Sequence, residues 1–463
     1  MSTPLLLGLV AGGVIVLLVL ITVFRIQAFV ALLATSMLIA ILGGVPLSEV
    51  ATQIQDGMGG TLGYIAVVVG LGAMFGEMLQ VSGGASTIAY RLLERAGEGR
   101  APLALGFTGL VVAIPVFFDV AFILLVPLVY SLTKRTGRPI LYFAIPLLAG
   151  LAVAHAFVPP TPGPVLVAGL LGADLGWVIL FGVIAAVPSM LLGGIMFGRF
   201  ISTRVDQGLP EDLPIMEDVG DQRSPASFRV ALALVVLPLG LILVGTLASV
   251  VQDRMSVADA GAGFGGDGVW PGAVLDALRF VGHPFTALIL TVFASFYWLG
   301  TRCGYSRSEV QRFATKSLEP VGLIILVTGA GGVFGKVLIA VGVGDAVAQG
   351  VASASAPILV LAFLIAAVVR VTQGSATVAM VTAAGLLSPL VTSSGTPPIS
   401  LALLTISIAS GATVLSHFND SGFWLVSRYL GLTEKDTLRS WTVTVTVIGA
   451  TGLACVLLIS LFV

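Results

Sequence analysis

Apolar positions in this chain come in unbroken runs, not in the one-sided stripes of a soluble helix. About 20 apolar residues carry a helix across a bilayer. Such runs lie near 4–24, 28–44, 61–81, 139–158, 175–200, 228–251, 284–300, 319–341, 399–418 and 441–462. They predict an all-α integral membrane protein with about ten transmembrane helices. Two further runs, 101–132 and 357–388, are too long for one ordinary span and too short for two with a loop.

The polar positions between the runs set orientation, because lysine and arginine concentrate in short cytoplasmic loops. Basic clusters occur at Arg91/Arg95/Arg100, Lys134/Arg135/Arg138, Arg199/Arg204, Arg302/Arg307/Arg312/Lys316 and Arg428/Lys435/Arg439. Segments 45–60, 342–356 and 389–398 have neither residue and are expected outside. Run 101–132 then has cytoplasmic flanks at both ends, and 357–388 has external ones. Each reads as a re-entrant hairpin, and the two enter from opposite sides.

The two halves repeat. Gly72, Phe75, Gly76, Leu79 and Gly83 match Gly331, Phe334, Gly335, Leu338 and Gly342 at an offset of 259. Asp119-Val120-Ala121 aligns with Thr377-Val378-Ala379. Gly163, Leu166, Val167, Leu171 and Gly172 match Gly422, Leu425, Val426, Leu430 and Gly431. The charge pattern turns one copy upside down, and inverted repeats with interrupted helices mark secondary transporters that bind substrate at the repeat interface. The predicted layout is a first repeat over 1–200, with a hairpin at 101–132 and a broken helix at 139–171. An acidic cytoplasmic linker follows over 201–227. The second repeat, 228–463, carries an external loop at 252–283, a hairpin at 357–388 and a broken helix at 399–430.

Composition narrows the class. Fifty-seven percent of the 463 residues are hydrophobic and 10% are charged, against about 25% charged in soluble domains. A net charge of −1 gives no reason to expect nucleic acid. Two cysteines, Cys303 and Cys455, make neither a disulfide framework nor a thiolate metal site. No cofactor is expected. The start has no basic stretch before Leu5–Phe24, so that run reads as a span and not as a removable signal. The runs leave no room for a separate catalytic domain.

Four places interrupt apolar runs with polar or helix-breaking residues. Irregular backbone at membrane depth survives only where protein or a water-filled cavity satisfies it, so each is a candidate wall of a site. They are Pro115–Asp119, His155–Pro164, Arg370–Thr377 and Ser416–Gly422. The second carries four prolines and a glycine within six residues, which no helix continues through.

Arg370 is the sharpest signal. An arginine at mid-depth costs roughly 2.5–3.5 kcal/mol on insertion scales, and its planar guanidinium grips a carboxylate bidentately. Two readings stand: a structural ion pair with Asp119 or Asp420, or a receptor for an anionic substrate. Asp119 and Asp420 are candidates to carry a coupling proton, against helix capping as the alternative. His155 and His417 titrate near neutral pH and are proton candidates as well, against a hydrogen-bonded structural role. Gln373, Ser375, Thr377, Thr161, Asn419 and Ser421 are expected to hold substrate hydroxyls, with helix-start amides favouring an anion. Gly329, Gly331, Gly332 and Gly335 imitate a dinucleotide fingerprint, but they lie in an apolar span and fit small-residue helix packing far better.

These motifs carry a resemblance. The stretch Gly150–Pro164, with His155 and its prolines, resembles the signature of the bacterial gluconate permease family. So do Arg370–Ala379 and Ser410–Trp424. The resemblance implies proton-coupled uptake of gluconate or a related sugar acid across the bacterial cytoplasmic membrane. Some members take other small hydroxy acids or D-serine. The wider ion-transporter group to which the family belongs implies an elevator movement and a homodimer. Sodium-driven members of that group carry Ser-Asn-Thr at both hairpin tips. Here tip two reads Ser375-Ala376-Thr377 and tip one reads Phe117-Phe118-Asp119, so the resemblance implies that a carboxylate at tip one takes a proton in place of a bound sodium ion. A channel and a membrane enzyme are the rivals of another class. The chain has neither a repeated filter nor an activated nucleophile.

Overall fold

The structure is a computed structural model that describes residues 3–205, 225–261, 272–342, 357–394, 396–418 and 420–463. Among the described residues the fold is helical throughout, without strands. The first half contains α1 (Thr3–Thr22), α2 (Ala28–Leu42), α3 (Leu47–Val81), α4 (Gly84–Ala96), α5 (Ala101–Val112), α6 (Phe118–Thr136), α7 (Leu141–Phe157) and α8 (Pro162–Leu171), then α9 (Leu175–Ile201). The second contains α10 (Phe228–Gly261) and α11 (Gly272–Gly282), then α12 (Pro284–Cys303). It continues with α13 (Arg307–Lys316), α14 (Glu319–Ala340), α15 (Ile358–Gln373), α16 (Ala376–Ser394), α17 (Pro398–Thr413) and α18 (Ser421–Leu430), and ends with α19 (Glu434–Ser460).

Local chemistry starts many of these helices. Gln27 Oε1 accepts from the Phe29 N–H at 2.7 Å to cap α2, and Asp174 Oδ1 accepts from Gly176 N at 2.9 Å to cap α9. Ser306 and Glu309 form a reciprocal capping box at α13, each satisfying an orphan donor of the first turn. Gly137, Gly172, Gly374 and Gly431 end their helices at positive φ, a conformation glycine reaches without steric penalty.

Among the described residues, seven helical stretches are long and apolar enough to cross a membrane, and five shorter apolar helices of 10–17 residues accompany them. About ten full spans were expected. The three expected spans absent from the seven, 4–24, 28–44 and 399–418, carry the shorter apolar stretches Gly8–Ile21, Ala28–Leu42 and Pro398–Thr413. Two expected loops contain helix: in segment 252–283, α10 continues to Gly261 and α11 occupies Gly272–Gly282. Segment 45–60, expected as an external loop, is helical from Leu47 onward as the start of a 35-residue α3. Its lack of lysine and arginine spoke only to its side of the membrane, and Gly57 lets this stretch lie directly on α14. A Cβ at Gly57 would come within 2.6 Å of Val333 Cα. Residues 206–224 of the acidic linker, 262–271 of the 252–283 segment and 343–356 lie outside the described residues.

Glycine also joins α5 to α7. A Cβ at Gly150 would sit 2.0 Å from the Gly106 carbonyl oxygen, and one at Gly109 would sit 2.5 Å from that of Leu147. Backbone therefore rests on backbone, the geometry that small residues allow in membrane helix pairs. The Gly329–Gly335 motif does the same work: Gly331 and Gly332 leave room for Val381 and Thr61. Contacts also cross between the halves. The Tyr130 hydroxyl on α6 donates to the Tyr429 carbonyl on α18 at 2.5 Å. Ser388 on α16 donates to the Leu170 carbonyl on α8 at 3.3 Å.

Candidate functional site

Each of the four interruptions breaks a helix. Residues 113–117 separate α5 from α6, and 158–161 separate α7 from α8. Gly374 and Ser375 separate α15 from α16, and 414–420 separate α17 from α18. Proline explains the first two. Pro115 stands in one gap, and Pro159, Pro160, Pro162 and Pro164 cluster at the other, where missing N–H donors and ring clashes end a helix.

The four breaks meet around one cavity of about 420 Å³, within the range of roughly 300–1,000 Å³ usual for small-molecule sites. Phe117, Phe118 and Asp119 line it from the first break, and His155, Pro162 and Gly163 from the second. Arg370, Gln373, Ser375 and Thr377 come from the third, and Asp420, Ser421 and Gly422 from the fourth. Four helices thus begin at its wall: α6 at Phe118, α8 at Pro162, α16 at Ala376 and α18 at Ser421. Helix N-termini carry partial positive charge and so attract anions; in the first three residues of α8 only Gly163 has an N–H to offer, since Pro162 and Pro164 have none. Arg370 and His155 occupy the last turns of α15 and α7, and a cationic arginine complements the negative end of its helix.

Arg370 is 5% exposed and pairs through Nη2 with Asp420 Oδ2. The ion pair weighed from the sequence therefore exists, and its partner is Asp420. Asp420 also accepts from the Ser416 hydroxyl through Oδ2 and from the Gly422 N–H through Oδ1 at 3.1 Å, which makes it the N-cap of α18. Asp119, in the first turn of α6, is exposed to the cavity. Ser375 Oγ accepts from the Val378 N–H at 3.3 Å at the start of α16.

Three polar atoms of the cavity-lining residues are buried without a hydrogen-bond partner: Arg370 Nε, Gln373 Nε2 and His155 Nδ1. A buried donor left unpaired costs about 1–3 kcal/mol. The arginine and glutamine nitrogens are donors, while the role of the imidazole nitrogen depends on its tautomer.

Three candidates stand apart. The Thr161 hydroxyl is spent on its own turn, donating to the Val158 carbonyl at 2.6 Å. It lines a smaller neighbouring cavity with Gly72 and Pro160, not the central one. His417 Nε2 lies 2.9 Å from the Val371 carbonyl of α15 and does not line the cavity. Asn419 lies outside the described residues.

The cavity also contains residues that sequence reasoning passed over. Trp441 reaches it from the start of α19, Met380 from α16, Thr413 from α17 and Ile324 from α14. None of the four carries a charge or breaks a helix, so nothing in the sequence distinguished them from ordinary packing. A third cavity, walled by Glu77, Gln80, Lys316 and Glu319, lies beyond the first break. Phe117 borders all three cavities.

Comparison with known proteins adds the following. A family model described as GntP family permease matches residues 4–462. The low-affinity gluconate transporter of Escherichia coli K12 is 40% identical over 452 residues, covering 98% of this chain and 97% of its own length. The gluconate permease of Pseudomonas aeruginosa is 37% identical over 451 residues, covering 97% and 96%. Among solved structures, the YdaH transporter of Alcanivorax borkumensis shares the fold at a TM-score of 0.66. It is 13% identical, and the match covers 94% of this chain and 98% of that one.

Proposed function

This chain belongs to the GntP family of permeases, and on that premise we propose that it imports gluconate or a closely related sugar acid together with a proton. It is a multi-pass protein of the bacterial cytoplasmic membrane. The observation that carries the substrate class is the convergence of four helix N-termini and the Arg370 guanidinium on one cavity. That combination selects an anion, and the curated relatives named above transport gluconate. Arg370 takes the carboxylate. Gln373, Ser375, Thr377 and Ser421 take hydroxyls along the opposite length of a polyhydroxy chain.

Asp119 is the proton carrier this reading favours. Asp420 is committed to Arg370, Ser416 and Gly422, and His417 does not line the cavity. Asp119 alone of the carboxylates faces the cavity exposed. Energetics favour coupling: a sugar-acid carboxylate is an anion at neutral pH, and its entry into an inside-negative cell costs about 2.3 kcal/mol per 100 mV. One accompanying proton cancels that cost.

The paired breaks, with α5–α6 corresponding to α15–α16 and α7–α8 to α17–α18, support two inverted repeats in which the hairpins are re-entrant. An elevator movement of that central unit, in a homodimer, completes the reading. The deciding experiment is uptake of labelled gluconate into proteoliposomes under an imposed pH gradient. Saturable, gradient-driven accumulation is expected, with competition by sugar acids exceeding that by D-serine. Uptake that requires sodium and ignores the pH gradient would contradict the proton reading, and stronger competition by D-serine would reassign the substrate.

A further inference from the structure

We propose that Trp441 is a positioning residue for the carboxylate receptor, acting on Arg370 through Ser416 and Asp420; this rests on the reading of Arg370 given above. Trp441 is buried at the start of α19, 71 residues beyond Arg370 in the chain and on a different helix. Its indole Nε1–H donates to Ser416 Oγ at 2.9 Å. The Ser416 hydroxyl in turn donates to Asp420 Oδ2, the same oxygen that accepts from Arg370 Nη2.

The direction of this chain is set at its far end. An indole N–H only donates, whereas a hydroxyl has one proton to give and rotates to suit its neighbours. With a lone pair of Ser416 held by the indole, its proton is directed to Asp420. The backbone of Ser416 is held as well, since the Thr442 hydroxyl donates to its carbonyl. Asp420 then has Oδ2 engaged by serine and arginine and Oδ1 by the Gly422 N–H at 3.1 Å. A carboxylate fixed on both oxygens holds the guanidinium in one plane, as bidentate recognition of an incoming carboxylate demands.

The same indole also touches the first break. The Phe118 ring stacks on it at 5.5 Å between centroids and 30° between planes, and Phe118 adjoins Asp119 at the start of α6. Trp441 therefore bridges the helix start that carries the exposed carboxylate and the arginine that carries the anion.

Transport kinetics separate this role from simple packing. Trp441→Phe keeps an aromatic ring for the Phe118 stack and removes only the N–H donor. The expected result is a rise of about 3- to 10-fold in KM for gluconate with maximal rate retained. Ser416→Ala should raise KM by more. The double variant should match Ser416→Ala alone, because an indole has nothing to direct once the hydroxyl is gone. A wild-type KM in Trp441→Phe, or two increases that multiply in the double variant, overturns the proposal. If Trp441→Phe does not reach the membrane, Ser416→Ala with the tryptophan intact carries the test, and an unchanged KM overturns the chain. Arg370→Ala measured in parallel tells the two failures apart. If it too leaves KM unchanged, the carboxylate assignment is what fails; if it raises KM while Trp441→Phe does not, only the role of Trp441 fails.

Discussion

The guanidinium of Arg370 and the carboxylate of Asp420 approach each other from two different helix breaks, one ending α15 and the other beginning α18. Their side chains are 6% and 14% exposed, so neither charge has water to fall back on. A buried pair of this kind is weak evidence for stability in itself, whereas removing one partner leaves a costly lone charge. Its position in the wall of the central cavity makes the pair a piece of the site, and it fixes where an entering anion finds positive charge.

Arg370→Ala should raise KM for gluconate by about 10- to 100-fold, the loss expected for hydrogen bonds to a charged group. It should also lower protein yield, since the uncompensated Asp420 is worth about 3–5 kcal/mol of destabilisation. Arg370→Ala combined with Asp420→Asn should recover yield but not affinity. Thermal unfolding and initial-rate uptake of the three variants check both halves of this expectation. Unchanged affinity in Arg370→Ala would remove the guanidinium from the binding site.

Asp119→Asn should separate binding from coupling. The amide keeps the size and polarity of the side chain at the start of α6 but cannot gain and lose a proton. Accumulation driven by a pH gradient should disappear, while exchange of labelled for unlabelled gluconate across the same vesicles should persist. Full gradient-driven accumulation in the variant would rule out Asp119 as the carrier.

Thr161→Val and His417→Gln should leave KM within about twofold of wild type. The threonine hydroxyl serves its own turn, through the 2.6 Å bond to the Val158 carbonyl. Its removal should cost only about 1 kcal/mol of stability. His417 is engaged with the Val371 carbonyl of α15 and does not line the cavity. A KM change of tenfold in either variant would show contact with substrate that the geometry does not provide.

Gly150→Ala should fold poorly. The added methyl would lie 2.0 Å from the Gly106 carbonyl oxygen, so α5 and α7 would have to separate, at a cost of about 1–3 kcal/mol or more. Gly63→Ala is the matched control on exposed α3 surface, where nothing lies within 4 Å of the new carbon. It should leave the unfolding temperature unchanged or raise it, because alanine favours helix over glycine. Equal effects of the two substitutions would contradict the backbone-to-backbone packing.

The four breaks were legible from sequence because their causes are local. Proline at 115 and at 159–164 cannot continue a helix, and glycine at 374 takes the left-handed turn that ends one. Each break also read as a candidate wall of a site, and the structure gathers all four around one cavity. What could not be read was the partner of each polar group. Thr161 and His417 looked like equals of Ser421 and His155, because a hydroxyl or imidazole shows its chemistry in sequence but not which carbonyl already occupies it. Trp441 was invisible for a related reason: an indole near the end of an apolar run is ordinary in a membrane protein. Its significance lies in a contact with Ser416, 25 residues away. The early start of α3 was missed because segment 45–60 was read only for its lack of lysine and arginine, whereas Gly57 within it serves close approach to α14.

Phe117 stands where the central cavity, the small cavity behind Thr161 and the pocket walled by Glu77 and Lys316 come together. It does not stand alone there: His155 and Pro162 join it between the first two cavities, and Ala73, Pro115 and Val116 join it between the second and the third. Removing the ring at position 117 would therefore enlarge all three spaces together, whereas a change at His155 or Pro162 would touch only the first two.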